Sequence, residues 1–227
     1  MPDIYSITYT LLLGLLLGIA PARASSEQLP GFDPQGIAQW ENESFAGETH
    51  YTLITEGDNQ LLEARSDHSA SGLYYKKTIP ISHDTRLSWR WKVSKVWPAA
   101  AETTKAGDDF PARVYIIVSD GPFFWQKRTL VYVWSNNQPV NARWLNPFTH
   151  RAVMWAVDSG NSLTGQWTQH TRNLQDDLKT VFNKTYREIV AIAIMTDSDN
   201  GGASFLSWYD DIRLSETPSA PDSAPLQ

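Results

Sequence analysis

Arg113-Val114-Tyr115-Ile116-Ile117-Val118-Ser119 is the stretch that decides the fold, because it reads as one regular β-strand. Side chains alternate between the two faces of a strand. Val114, Ile116 and Val118 therefore share an aliphatic face, while Arg113 and Tyr115 lie on the opposite face. This division predicts a sheet with one side against the core and another side that is able to meet a ligand.

Two further stretches show the same division. In residues 130–135 two valines alternate with Tyr132 and Trp134, and in residues 189–197 aliphatic residues alternate with a series that ends in Asp197. We expect the aliphatic faces to meet in the core. The opposite faces are expected to form a ligand platform of Arg113, Tyr115, Tyr132, Trp134 and Asp197. The alternative is that the aromatic residues of this set pack beneath a loop or in a second core layer.

The rest of the chain reads as short strands separated by Gly, Pro, Asn and Asp. We expect strands in residues 49–55, 60–65, 72–79, 86–94, 113–119, 129–135, 153–158, 166–172, 188–196 and 205–214. Trp89 and Trp91 alternate with charged residues and are expected in the core. Residues 174–182 alone read as a helix, with Asn173 as the N-cap. The predicted fold is all-β, an antiparallel, jelly-roll-like β-sandwich with one short helix.

Residues 1–24 have the layout of a secretory signal peptide. The apolar run 11–20 is about half as long as the ~20 residues that a membrane-spanning helix needs, and the site Ala22-Arg23-Ala24 follows it. Cleavage after Ala24 is expected, and an uncleaved membrane anchor is the alternative. We expect a single domain over residues 25–215, a disordered tail over 216–227, and a periplasmic or secreted location without a membrane span.

Composition limits the classes of function. The chain has a formal net charge of −6 and no cysteine. The acidic balance gives no electrostatic basis for binding nucleic acid, so no such partner is expected. The missing cysteines exclude disulfides, thiolate catalysis and cysteine-based metal sites. Ten Trp and nine Tyr indicate either a large aromatic core or a stacking surface for ligands.

Two acidic loops carry the polar chemistry. Asp108 and Asp109 precede the strand-borne Arg113, and such acids can pair with arginine, cap a turn or bind a hard cation. A buried Asp–Arg pair that fixes the loop is the structural alternative. Asp197-Ser198-Asp199-Asn200 offers oxygen ligands of the kind that Ca²⁺ prefers, but Gly201-Gly202 also makes a tight turn that needs no ligand. We expect no cofactor, with Ca²⁺ as the alternative.

Known catalytic motifs are missing from the sequence. It has no Gly-x-Ser-x-Gly elbow, no glycine-rich phosphate loop and no pair of histidines at zinc-site spacing. Glycoside hydrolysis needs two carboxylates about 5–9.5 Å apart across a cleft. Asp108 or Asp109 with Asp197 or Asp199 is the candidate pair. This alternative requires that Asp109 and Asp197 are not locked in salt bridges.

Several motifs resemble a bacterial secreted family that is known only as domain of unknown function 3047. They are Trp89-Arg90-Trp91-Lys92-Val93, Gly107-Asp108-Asp109-Phe110-Pro111-Ala112-Arg113, Leu130-x-Tyr132-Val133-Trp134, Met195-Thr196-Asp197-Ser198-Asp199-Asn200 and Tyr209-Asp210-Asp211-Ile212. The resemblance extends over about residues 40–214. It implies a jelly-roll-like β-sandwich akin to carbohydrate-binding modules, and it implies no activity.

These observations predict a non-catalytic module that binds a glycan or another small-molecule ligand. Aromatic rings stack on sugar faces, and Asp, Asn and Arg side chains hydrogen-bond sugar hydroxyls. The alternatives are a polysaccharide hydrolase or lyase, and a structural or assembly protein of the envelope. The expected ligand-binding residues are Asp109, Arg113, Tyr115, Tyr132, Trp134, Asp197, Asp199 and Asn200.

Overall fold

The computed structural model describes residues 29–216, which consist mainly of β-strands. The predicted signal peptide, and the predicted tail beyond Glu216, lie outside the described residues. The α-helices are α1 (Pro34–Ile37) and α2 (Leu174–Phe182), and two short 3-10 helices cover Lys105–Gly107 and Phe124–Gln126. The strands are β1 (Glu41–Ala46), β2 (His50–Glu56), β3 (Asn59–Asp67), β4 (Ala70–Tyr75), β5 (Ile79–Pro80), β6 (Thr85–Val93), β7 (Arg113–Ser119), β8 (Lys127–Ser135), β9 (Arg143–Asn146), β10 (Thr149–Ser159), β11 (Thr168–Asn173), β12 (Glu188–Ile189), β13 (Ala191–Asp197) and β14 (Ser204–Glu216).

The strands form two large sheets and one small sheet. The seven-stranded sheet has the order β1-β4-β13-β7-β8-β10-β9, the five-stranded sheet has the order β11-β6-β14-β3-β2, and β5 pairs with β12. β8 and β10 pair in parallel, whereas the other pairs of the described residues are antiparallel. A parallel pair needs a crossover connection, and β9 lies within it. The predicted β-sandwich is confirmed.

The core lies between the two large sheets. Trp89 and Trp91 of β6 are fully buried, as predicted. The Trp89 ring stacks on the ring of Tyr132 in the opposite sheet, with 5.0 Å between the ring centroids. Val114 and Ile116 of β7 belong to the same core cluster. Burial of large aromatic and aliphatic side chains supplies the main stabilisation of a chain that has no disulfides.

The predicted faces are confirmed for two central strands and wrong for the third. Ile192 and Ile194 of β13 face the core, as the aliphatic residues of β7 do. In β8, however, Tyr132 and Trp134 face the core and are fully buried, so they do not form a ligand platform. The register explains the error, because Tyr132 lies opposite Val114 and directly opposite residues point to the same face.

The polar atoms of these two aromatic side chains are satisfied inside the protein. The Tyr132 hydroxyl donates to the Asp177 carboxylate of α2 at 2.7 Å, and the Trp134 indole donates to the Gly160 carbonyl at 3.1 Å. Buried Tyr and Trp normally find such partners. The alternative reading of these two residues, as members of the core, is therefore the correct one.

Helix α2 has the predicted bounds and the predicted cap. The Asn173 side chain accepts the backbone N–H of Asp176 at 3.3 Å, which satisfies one of the free donors of the first turn. Strands β1 and β9, the two edges of the seven-stranded sheet, are not expected from the sequence. No helix within residues 29–216 is both long enough and apolar enough to cross a membrane.

Candidate functional site

A groove lies on the outer face of the seven-stranded sheet, opposite the core. It consists of two adjoining depressions of about 400 Å³ and 380 Å³, which share Tyr74, Tyr115 and Asn146. Its side chains come from both edges and from the centre of the sheet. We define the outer groove by Glu43, Phe45, Tyr74, Lys76, Asp108, Arg113, Tyr115, Val131, Asn146, Phe148, Met195, Asp197, Asp199 and Asn200.

Arg113 and Asp197 form a buried ion pair at one end of the groove. Their strands are neighbours, and the register sets Arg113 opposite Met195, two residues before Asp197. Arg113 Nε donates to Asp197 Oδ1 at 2.7 Å, and Nη2 donates to Asp197 Oδ2. Burial alone would lower the pKa of the Arg113 guanidinium, but the Asp197 carboxylate raises this pKa well above its ordinary value. Arg113 is therefore a permanent cation.

Asp109 holds the turn that carries the next polar side chains of the groove. Its carboxylate accepts the backbone N–H groups of Asn200 at 3.0 Å and of Gly201 at 2.6 Å, and it is fully buried. The Asn200 side-chain amide also donates to it, at 3.1 Å. Donors of this number satisfy a buried carboxylate without a counter-ion. Asp109 thus positions Asp199 and Asn200 at the mouth of the groove.

Asp108 lies beside Arg113 in the wall of the groove. Its Oδ2 accepts the side-chain amide of Asn146 at 3.1 Å and lies 3.5 Å from Arg113 Nη1. Its Oδ1 is buried and has no hydrogen-bond partner within the part of the chain that the structure describes. Burial raises the pKa of Asp108, against the opposing charge of Arg113. A buried carboxylate oxygen without a donor is unusual, because its lost hydration is not replaced.

Aromatic side chains form the floor and the rim of the groove. The rings of Tyr74 and Tyr115 lie side by side on the floor, with 6.5 Å between their centroids, and both are half-buried. Phe45 of β1 and Phe148 of the β9–β10 turn stand at opposite sheet edges, with 62% and 55% of their surface exposed. The groove therefore offers apolar ring surface both at its base and at its sides.

The structure brings together five of the eight predicted site residues in the groove: Arg113, Tyr115, Asp197, Asp199 and Asn200. Asp109 lies directly behind them and holds their turn. Tyr132 and Trp134 lie in the core instead. Whether the five residues bind a ligand remains a prediction.

Sequence reasoning missed Tyr74, Asn146, Phe45 and Phe148. A signal existed only for Tyr74, which alternates with the core residues of β4, Leu73 and Tyr75. Asn146, Phe45 and Phe148 lie on or beside the edge strands, which the sequence does not reveal.

Three carboxylates of the site form a cluster. Oxygen atoms of Asp109, Asp197 and Asp199 lie within 4.8 Å of one another, which is the closeness that a hard cation requires. However, the oxygens of Asp197 accept Arg113, and those of Asp109 accept backbone N–H groups. Of the Asp109–Asp197 pair considered for hydrolysis, Asp197 is thus held in a salt bridge with Arg113, and Asp109 is held by N–H groups of the turn. The geometry instead agrees with a buried Asp–Arg pair that fixes the loop.

Fold and groove together define the class: a β-sandwich protein with a groove of aromatic and polar residues on one sheet. The chain belongs to the family described as protein of unknown function DUF3047, and the match covers residues 38–213. This membership confirms the resemblance of the sequence motifs. No curated protein sequence matches the chain.

Solved structures with a similar arrangement include carbohydrate-binding modules and an enzyme domain. A family 11 module from Clostridium thermocellum with a mixed-linked tetrasaccharide is 13% identical, covers 86% of this chain and 98% of its own, and gives a TM-score of 0.41. The xyloglucanase domain of NopAA from Sinorhizobium fredii is 11% identical, with 78% and 93% coverage and a TM-score of 0.45. TmCBM61 with β-1,4-galactotriose is 13% identical, with 83% and 95% coverage and a TM-score of 0.39. Likenesses below a TM-score of 0.5 carry no information on the ligand of this chain.

Proposed function

We propose that this protein binds a glycan in the outer groove and does not act on it chemically. The observation that carries the proposal is that one groove combines aromatic rings with several hydrogen-bonding side chains. Its two depressions, about 400 Å³ and 380 Å³, are of the size of small-molecule sites, roughly 300–1,000 Å³. Sugars present apolar C–H faces and hydroxyl edges, so they need both kinds of contact.

The two kinds of contact have separate places in the groove. Tyr74 and Tyr115 provide the floor on which a sugar ring lies, and Phe148 provides an exposed ring at the rim. The Asn200 amide N–H groups donate to Asp109 and Asp199, and its side-chain oxygen can accept from a hydroxyl. Asn146 donates to Asp108 and accepts the backbone N–H groups of Phe148 and Thr149, so it fixes the wall of the groove. These polar groups are oriented by hydrogen bonds within the protein, and such preorganisation favours binding.

The hydrogen bonds of two carboxylates support binding without hydrolysis of the glycan. A glycosidase needs one carboxyl that exchanges a proton and a second that is free to act as base or nucleophile. Asp197 is committed to Arg113, and Asp109 is committed to the turn at residues 200–201. These structural roles remove two of the four candidate carboxylates, and they favour binding over turnover.

Export completes the proposal. The signal-like residues 1–24 favour delivery of the β-sandwich to the periplasm or the exterior, where polysaccharides of the envelope and of the surroundings occur. A fusion of residues 1–24 to a reporter that works only outside the cytoplasm is expected to be active. When the full-length chain is expressed, cell fractionation should find the protein without residues 1–24 in the same compartment.

The binding test uses the purified protein on a glycan array, followed by calorimetry with the best soluble oligosaccharide. Phe148→Ala removes a rim ring and is expected to weaken binding about tenfold, which corresponds to about 1.4 kcal/mol. Phe123→Ala is the matched control, because Phe123 is 53% exposed, close to the 55% of Phe148, and lies outside the groove. Equal weakening by the two variants, or no binding of any glycan by the parent protein, contradicts the proposal.

A further inference from the structure

We propose that the acidic end of the outer groove recognises a positively charged amino group, so that its ligand is a glycan with free amino sugars. This inference rests on the proposed function and adds the chemical class of the ligand. The acidic end of the groove holds more carboxylates than cations. Asp108, Asp197 and Asp199 line this end of the groove, and Asp109 lies behind them, whereas Arg113 is the lining cation.

A second cation stands at the rim without removing this imbalance. The Lys105 ammonium lies 5.3 Å from the centroid of the Phe148 ring, so the four carboxylates face two cations. An ammonium over an aromatic face is a favourable contact. The rim of the groove therefore already shows that its aromatic surface accepts a cation.

Arg113 is not available to an anionic ligand. Its Nε and Nη2 donate to Asp197, Nη2 also donates to the Asp108 carbonyl, and Nη1 lies 3.5 Å from Asp108 Oδ2. The side chain is only 4% exposed. A uronate or a sulfated sugar would thus meet carboxylates without a free arginine fork, and like charges repel. This end of the groove therefore selects against acidic groups.

The unpaired oxygen of Asp108 supplies the second observation. The Asp108 side chain is 6% exposed and lines the groove, yet its Oδ1 has no donor among the described residues. Asp199 offers an exposed carboxylate at the mouth of the same end. An ammonium carries three N–H donors and can pair with the Asp199 carboxylate at the mouth of the groove, and it would have to enter the groove wall to reach the buried Asp108 Oδ1. A charged pair of this kind is stronger than a neutral hydrogen bond. Burial raises the pKa of both Asp108 and Asp199, although the charge of Arg113 opposes the rise.

An amino sugar fits this end better than a bare metal ion. A hard divalent cation takes six or more oxygen ligands, whereas oxygens of Asp197 and Asp109 already accept N–H groups of the protein. An ammonium needs fewer acceptors, and the sugar ring that carries it can lie against the neighbouring aromatic surface of Tyr74 and Tyr115.

The test compares matched hexasaccharides by calorimetry with the full-length mature protein at low ionic strength and at a pH where the amines are protonated. The probes are β-1,4-glucosamine, its N-acetylated form, β-1,4-glucose and a uronate hexamer. We expect the glucosamine oligomer to bind at least tenfold more tightly than the N-acetylated and neutral ones, and the uronate oligomer not to bind. Asp199→Asn should abolish most of this preference. Asp67→Asn, the same change at an exposed carboxylate outside the groove, should leave the preference intact.

The outcomes separate this inference from the proposed function. If neutral or acidic oligomers bind as tightly as the glucosamine oligomer, or if Asp199→Asn leaves the preference intact, the amino-sugar inference is wrong while glycan binding stands. If calcium chloride alone binds and Asp199→Asn removes that binding, the acidic end is a metal site and the inference is overturned. If none of the four oligomers binds, the inference is also overturned, and failure of the glycan array as well removes the proposed function.

Discussion

Replacing Arg113 by methionine tests how much the buried Arg113–Asp197 ion pair contributes to the stability of the protein. Asp197 is 1% exposed, and Arg113 supplies two of its hydrogen bonds. After the change, the remaining donor given by the structure is the Phe110 backbone N–H at 3.3 Å. Removal of one partner of a buried pair costs about 3–5 kcal/mol, because the other charge is left without compensation. We therefore expect Arg113→Met to lower the free energy of unfolding by that amount at neutral pH.

The loss should depend on pH in a direction that the structure fixes. Burial acts to raise the pKa of Asp197, and the charge of Arg113 opposes this rise, so in Arg113→Met the rise is unopposed. When the pKa of a carboxyl is higher in the folded state than in the unfolded state, the folded protein is most stable with that carboxyl protonated. This stabilisation is fully present below the unfolded pKa of about 3.9, and it is lost as the pH rises through the folded pKa. The penalty of Arg113→Met should therefore be largest at neutral pH and smaller near pH ~4.

Urea unfolding followed by tryptophan fluorescence measures the effect, since the core contains several buried tryptophans. The control is the double variant Arg113→Met with Asp197→Asn, which removes the uncompensated charge and should recover part of the loss. A loss below about 1 kcal/mol, the same loss at both pH values, or a double variant no more stable than the single one contradicts the assignment of a buried ion pair.

Three further predictions concern the core, the turn and an acid-sensitive network. Tyr132→Phe removes a hydrogen bond to a buried carboxylate and should cost about 1.5–3 kcal/mol in urea unfolding, while calorimetry shows unchanged binding in the groove. Gly201→Ala should lower stability by about 1–3 kcal/mol in thermal unfolding, because a Cβ would lie 1.6 Å from the Trp97 ring. Burial acts to raise the pKa of Asp158, but hydrogen bonds from partners such as His170 lower it overall. The ionised Asp158 carboxylate therefore stabilises the fold above about pH 4, and this stabilisation is lost as the pH falls through the folded pKa of Asp158. Asp158→Asn should reduce the acid dependence of the melting temperature.

The sheet architecture could be predicted where a strand has two unlike faces. In β7 and β13 the aliphatic residues alternate with larger, smaller or charged ones, and the faces follow directly from the period of two. Helix α2 could be predicted because it combines an apolar face with an Asn cap. β8 gave no such information. Both of its faces are apolar, and all of its last six residues are buried, so only pairing with β7 decides which face is the core.

The candidate site was predicted where loops follow central strands, and missed where it depends on the edges. Asp197 and Arg113 lie 84 residues apart in sequence, and their convergence follows only from the pairing of β13 with β7. The acidic motifs thus indicated a polar site, but they left open whether the carboxylates bind a cation, pair with an arginine or contact a substrate. β1 has an irregular burial pattern and β9 is only four residues long, so neither strand shows enough alternation for a strand to be predicted.

The edge strands decide what kind of surface this sheet presents. Without Phe45 and Phe148, the outer face would offer acidic groups and two tyrosines on an open sheet. Because the two phenylalanines stand at opposite edges and line the same groove as Arg113 and Asp197, the acidic end is enclosed by apolar surface. Charges in such a partly desolvated place interact more strongly than charges in open water. The specificity of the groove should therefore depend jointly on its rings and its carboxylates. Each single change, at Phe148 or at the Asp199 charge, already removes the coupling between them, so the double variant should lose less affinity for a cationic ligand than the sum of the two single losses.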